Sequence, residues 1–200
     1  MIELSLQPEL LTHPNIPKPL HGMNPRSILG KNWWDNERQI AYKKHGYHCW
    51  ACGIHKQDAK YHKWLEAHES YVINYVQGIV ELKEIVALCY SCHNFIHSGR
   101  LWNMYCNNEI TKEKIRDIIN HGFKVLAQNK LKPFFGTRYI SLKLQGLNET
   151  KILLILIGEG YDVDEPSVAK WDKWRLVFNG KEYKSKFKNI NEWEKHYNKD

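Results

Sequence analysis

An α+β fold with a cysteine-pinned module in its first half is what this sequence predicts, on three observations. Two Cys-x-x-Cys pairs, Cys49–Cys52 and Cys89–Cys92, bracket a stretch of strand-like sequence. A helical apolar period runs through Ile115, Ile118, Ile119, Phe123 and Leu126. Asn179-Gly180, the pair that a type I′ turn demands, separates Trp174–Phe178 from Lys181–Lys184. The 200 residues, 42% apolar and 12% aromatic, suffice for one sizeable folded domain or two small ones. We divide the chain at 108. Residues 1–108 carry an irregular lead-in and the cysteine module, whose core is about 45–100, and residues 109–200 form an α+β extension.

The elements follow in order. Pro and Gly crowd residues 7–31, which predicts an extended, irregular segment. A helix is expected from Asn32 as N-cap, with Asp35 and Glu37 in its early turns, to about Lys44, ended by Gly46. Two short strands, Tyr61–Glu69 and Glu84–Leu88, are expected with a long loop between them. A helix then runs from Cys89 to His97 and stops at Ser98-Gly99. Thr111 caps the helix to about residue 129, and Pro133 closes that segment. Lys151–Ile157 reads as a strand. After the Asn-Gly hairpin, a terminal helix over Ile190–Tyr197 is expected to lay Trp193 and Tyr197 on the hairpin, with Trp171 and Trp174 in the same core.

The formal net charge of +7 favours a polyanionic partner, nucleic acid first. The N-terminus lacks the charged and apolar regions of a secretory signal, and the apolar run Ile152–Ile157 is far short of the ~20 residues that span a bilayer. Five cysteines, four at metal-ligand spacing, suit a reducing cytoplasm better than a disulfide framework. Cys106 is left over and reads as a small buried hydrophobe.

Cys49, Cys52, Cys89 and Cys92 predict a structural zinc site. Each x2 knuckle supplies two thiolates to a tetrahedron, and the second knuckle leads into a helix in the treble-clef manner. Between the knuckles lies Leu65-Glu66-Ala67-His68-Glu69, and the second knuckle continues as His93-Asn94-Phe95-Ile96-His97. His93 and His97, at i and i+4, share one face of their helix. His48, His55 and His62 lie nearby without a matching motif and read as surface or satisfied residues.

Over about residues 45–100 this order and spacing resemble the HNH endonucleases, the zinc-stapled branch of the ββα-metal nucleases. The resemblance implies a catalytic divalent metal (Mg²⁺, Mn²⁺, Ni²⁺ or Zn²⁺) held by His68, His93 and His97, beside the structural Zn²⁺. It implies that His68 and Glu69 share the catalytic work, one as ligand and the other as general base. The chain has His68-Glu69 where the family usually has His-His. The family's central Asn is replaced by Glu84, with Asn74 and Asn94 as candidate substitutes. A neutral imidazole can take a proton from water near neutral pH, whereas a carboxylate with a pKa near 4.3 is a weak base unless burial raises it.

Arg100, directly after the helix stop, is placed to clamp a phosphate. Lys181, Lys184 and Lys186 line the second hairpin strand and are candidate nucleic-acid contacts, against the plainer reading of a solvated strand face. The function implied is metal-dependent hydrolysis of phosphodiester bonds, DNA favoured, in the cytoplasm, with no membrane partner and a homodimer left open. The rival reading is a catalytically silent zinc module that binds nucleic acid or a protein partner, for example as a phage or defence-related inhibitor.

Overall fold

A computed structural model of the chain describes residues 5–14, 16–162 and 169–197. It is a mixed α+β structure with one small four-stranded sheet. The chain forms two compact units, neither a single stretch of sequence. Of the described residues, unit 1 takes 5–14, 41–68 and 86–162, and unit 2 takes 16–40, 69–85 and 169–197. The boundary expected at 108 falls inside unit 1.

Two strands carry the chain between the units. β1 spans Glu66–Asn74 and β2 spans Ile79–Leu88. β2 is longer than the sequence implied, and β1 keeps the expected length but is shifted five residues later. Residues 61–65 are loop, and Tyr61 adopts a φ of 74°. The expected long loop between the strands is a four-residue turn. Asn74 Oδ1 accepts the Gln77 N–H at 3.0 Å. Gly78 closes the turn at φ 68°, where an added Cβ would meet Ala169 Cβ at 2.8 Å.

In unit 1 a 3-10 turn, Pro8–Thr12, buries Leu10 and Leu11. The first knuckle follows. The Cys49 N–H bonds Ile54 O at 2.9 Å and the Gly53 N–H bonds Cys49 O at 2.8 Å. Gly53 sits at φ 76°, which favours glycine. Past β2 come α2 (Tyr90–Ile96), α3 (Ser98–Cys106) and α4 (Lys112–Gln128). α2 does stop at His97, whose ψ is 45°, but α3 begins at once, so Ser98-Gly99 opens a helix. Cys106, at the end of α3, is exposed and is not the buried hydrophobe expected. The Thr111 hydroxyl caps α4 by accepting the Lys114 N–H at 3.2 Å, as its sequence implied. Trp50, Leu88, Phe95, Leu101, Ile115, Ile118 and Leu126 form the core. Each fully buried aliphatic or Phe contributes about 1.5–3 kcal/mol relative to exposure.

Two further helices complete this unit, α5 (Phe135–Leu144) and α6 (Glu149–Gly158). α6 replaces the strand expected over Lys151–Ile157. Six uninterrupted apolar residues fit either period, and the cap decides: Asn148 Oδ1 accepts the Lys151 N–H at 3.0 Å. Ile152 and Leu156, four apart, are fully buried, while Leu154 between them is 65% exposed.

In unit 2 the lead-in is less irregular than predicted. It holds a 3-10 turn, Lys18–Leu20, and the start of α1 (Pro25–Lys44). α1 is broken at Gly30 (φ 83°), and its second segment, from just after Gly30 to Lys44, matches the helix expected from near Asn32, while the turn before Gly30 was not expected. Its last residues, 41–44, belong to unit 1. β3 (Arg175–Phe178) and β4 (Lys181–Lys184) form the predicted hairpin. Asn179 and Gly180 both have positive φ, 51° and 68°, as a type I′ turn requires. The sheet order is β1-β2-β3-β4, with β3 parallel to β2 through Val80↔Leu176. Leu20, Met23, Val80, Trp174, Leu176 and Phe178 form this core. α7 (Ile190–Tyr197) is present, but Trp193 Nε1 donates to His21 Nδ1 at 3.2 Å, so the helix is pinned to the early segment.

Candidate metal centres

The four cysteines converge. Their sulfur atoms lie within 4.8 Å of one another, and the group could hold a metal ion such as zinc. A tetrahedral zinc with bonds of about 2.3 Å separates its sulfurs by about 3.8 Å. Cys52 and Cys89 Sγ are 3.8 Å apart, so the cluster has the right dimensions. Cys49 and Cys92 are fully buried and Cys89 is 3% exposed. Burial pushes the Cys49 thiol up, but hydrogen bonds from Cys52, Cys89 and Cys92 outweigh it and bring it well down. The same contacts drive Cys89 and Cys92 up. Thiolates packed this closely repel one another, and a central cation would let them ionise together.

A residue outside the motif joins this cluster. His121, on α4, places Nε2 3.3 Å from Cys92 Sγ. Hydrogen bonding to Cys89 and the nearby thiolate charge raise its pKa against burial. Nothing in the sequence spacing announces it, because the contact depends on how α4 packs against α2.

The second group comprises His68, His93 and His97, with ring nitrogens also mutually within 4.8 Å. His68 comes from β1, His93 from α2, and His97 from the break between α2 and α3. The Cys89 carbonyl accepts the His93 N–H at 3.0 Å and the His93 carbonyl accepts the His97 N–H at 3.2 Å. One continuous backbone therefore ties His93 and His97 to the second knuckle, while His68 arrives from β1. His97 Nε2 lies 3.2 Å from His68 Nδ1. Two nitrogens about 2.0–2.1 Å from a tetrahedral cation lie about 3.3 Å apart, so this pair fits a shared ion as well as a shared proton. Burial, then the neighbouring His97 and His93, holds His68 well below the usual imidazole range. Burial and the charges of His93 and Arg100 lower His97 to about 4. Both are neutral at pH 7, the protonation state that can ligate a metal.

Glu69 does not join the trio. Successive side chains on a strand face opposite sides. Along β1 the residues at 68 and 70 are buried, and 69 alternates with them. The carboxylate that does reach the site is Glu66, two residues before His68 and on the same side of the strand. It pairs with His93 Nδ1. Burial pushes the Glu66 carboxyl up, but the His93 hydrogen bond and charge, with His62 and Arg100, outweigh it. Alternation alone could have nominated Glu66.

Arg100 is exposed in the first turn of α3, and its charge acts on both His97 and Glu66. Asn94 is buried, and its Nδ2 donates to the Tyr90 carbonyl at 2.9 Å, a helix-bracing role. Asn74 braces the β1–β2 turn. Glu84 is half-buried on β2 in unit 2. Lys181, Lys184 and Lys186 are exposed in unit 2.

No protein-family model, no curated protein and no solved structure matches this chain. Among the described residues, no helix is long and apolar enough to cross a membrane.

Proposed function

We propose that this protein is an HNH-type, metal-dependent endonuclease that hydrolyses phosphodiester bonds, those of DNA foremost. One observation carries the reading: three imidazoles, from β1, α2 and the α2–α3 break, converge, and His93 directly follows Cys92 of a four-cysteine cluster. Their order along the chain is that of the family it resembles. In this reading Cys49, Cys52, Cys89 and Cys92 hold a structural zinc, and His68, His93 and His97 hold a second divalent cation. That cation would supply charge for the pentacoordinate phosphorus and for the departing oxygen. Glu66 engages His93 through Nδ1, which orients the ring and leaves Nε2 for the cation, as outer carboxylates do at histidine metal sites. His68, neutral and buried, keeps a nitrogen lone pair for the metal or for a proton of the attacking water. Arg100 offers a fork to a phosphate oxygen.

The turned-away Glu69 favours a second reading, in which the module is catalytically silent and binds nucleic acid or a protein partner. Nicking of supercoiled plasmid separates the two, with Mg²⁺, Mn²⁺ or Ni²⁺ added to wild type and His68→Ala. Metal-dependent nicking lost in the variant, which still holds its zinc, is the expected result. No nicking with any metal, in protein that binds one zinc and nothing more, would sink the nuclease reading.

A further inference from the structure

A chain of aromatic rings leads outward from the imidazole site within unit 1. Tyr90 and His93 are three apart and share one face of α2. The His62 ring lies 4.5 Å from the Tyr90 ring, and the Trp64 ring lies 4.1 Å from His62. Tyr61 meets Tyr90 edge-on at 5.4 Å. Burial falls along this series, from Tyr90 at 7% exposed to Trp64 at 55%. The indole at the outer end is therefore supported from beneath by His62 and open to solvent over much of its surface.

Cations accompany the rings. Lys114 Nζ sits 4.7 Å from the Tyr90 centroid and 4.9 Å from that of Tyr61. Lys60 lies 5.2 Å from the Tyr61 centroid, although Asp117 also claims its ammonium at 2.5 Å. Trp64 offers the open ring, backed by His62, while Lys114 and Lys60 stand against the inner rings Tyr90 and Tyr61; an exposed aromatic face on the same ladder as ammonium groups is the combination that holds an unpaired base and its phosphate. A paired base keeps both faces inside its own stack and offers no free face to Trp64. The ladder starts on the helix face that carries His93, so a base seated at its outer end would hold the adjoining strand near the imidazoles.

We propose that Trp64, propped by His62, is a base-stacking platform for unpaired nucleotides, so that the chain takes single-stranded or locally opened nucleic acid in preference to intact duplex. The location beside a cleavage centre rests on the nuclease reading, but stacking itself can be tested without cleavage. Zinc-loaded full-length protein carrying His68→Ala would be titrated into a fluorescein-labelled single-stranded DNA oligomer and into its duplex, and anisotropy recorded. One stacked base is worth about 1–3 kcal/mol, or about 5- to 150-fold in affinity. Trp64→Ala should lower single-strand affinity within that range and leave duplex binding unchanged. Trp64→Phe, which keeps a ring face, should retain most of it. Zinc content and circular dichroism confirm that each variant is folded. Single-strand affinity indifferent to Trp64→Ala, or duplex bound as tightly as single strand, would overturn the platform. The nuclease reading fails separately: Trp64-dependent binding by a protein that nicks with no metal would leave the platform standing and remove the enzyme.

Discussion

Gly122 is the position at which one methyl group should do most damage. It lies in α4 opposite Phe95 of α2, which is fully buried. A Cβ built on Gly122 would fall 2.1 Å from Phe95 Cδ2, 2.3 Å from Cγ and 2.4 Å from Cε2. Carbon atoms pack best about 3.5–4.0 Å apart, so the ring must retreat by about 1.5 Å. Phe123 stands edge-on to it at 5.6 Å, and an interior packed to crystal density has no room to receive it. Replacing glycine by alanine in a helix interior ordinarily stabilises by about 1 kcal/mol. Overpacking of a core costs about 1–3 kcal/mol, and a displacement of this size belongs at the upper end. Gly122→Ala should therefore destabilise the zinc-loaded protein by about 1–2 kcal/mol, despite its better helix propensity. The assay is a urea titration with hydrogen exchange of the α2 amides, since α2 must shift to accommodate the ring. Phe95→Leu in the same background should recover part of the loss, a coupling of about 0.5–3 kcal/mol between residues in contact. A Gly122→Ala protein as stable as wild type, with α2 protection unchanged, would refute the close α2–α4 approach.

Three further outcomes are expected. Glu66→Gln removes the carboxylate that orients His93 and should weaken binding of a second divalent ion by about 10- to 100-fold, measured by calorimetry on zinc-loaded protein, while Glu69→Gln changes it little. Replacing Asn179-Gly180 by Ala-Ala places two ordinary side chains at positive φ and should cost about 1–2 kcal/mol per residue, read as a lower unfolding midpoint; an unchanged midpoint would argue against the type I′ turn. Ile152→Ala should cost about 2–5 kcal/mol by opening a cavity, whereas Leu154→Lys, on the exposed side, should stay within about 0.5 kcal/mol; equal penalties would mean that α6 does not present these faces.

Local chemistry made much of this legible in advance. Asn179-Gly180 announces its turn because few other residues accept positive φ at both positions. Thr111 announces α4 because its hydroxyl answers an amide that the helix cannot satisfy itself. The cysteine pairs and His93–His97 could be read from spacing, because a knuckle and one helical turn fix geometry over a few residues.

Where local signals balanced, the reading failed. The run Ile152–Ile157 suits strand or helix equally until the Asn148 cap and the burial of Ile152 and Leu156 choose the helix. The family resemblance points to Glu69 and is silent on Glu66, yet strand alternation turns 66 and 68 to the same side. His121 and the Phe95–Gly122 contact depend on α4 returning to α2 across a separation that no spacing rule covers. By itself the sequence picked out the four cysteines, the pair His93–His97 and the Asn-Gly turn, which are properties of a few neighbouring residues. Only the tertiary structure decided which carboxylate meets the imidazoles, which helix backs the cysteines and which aromatic ring stays open to solvent. Those choices follow from packing between elements distant in the chain, where excluded volume and burial, not local conformational preference, select the partner.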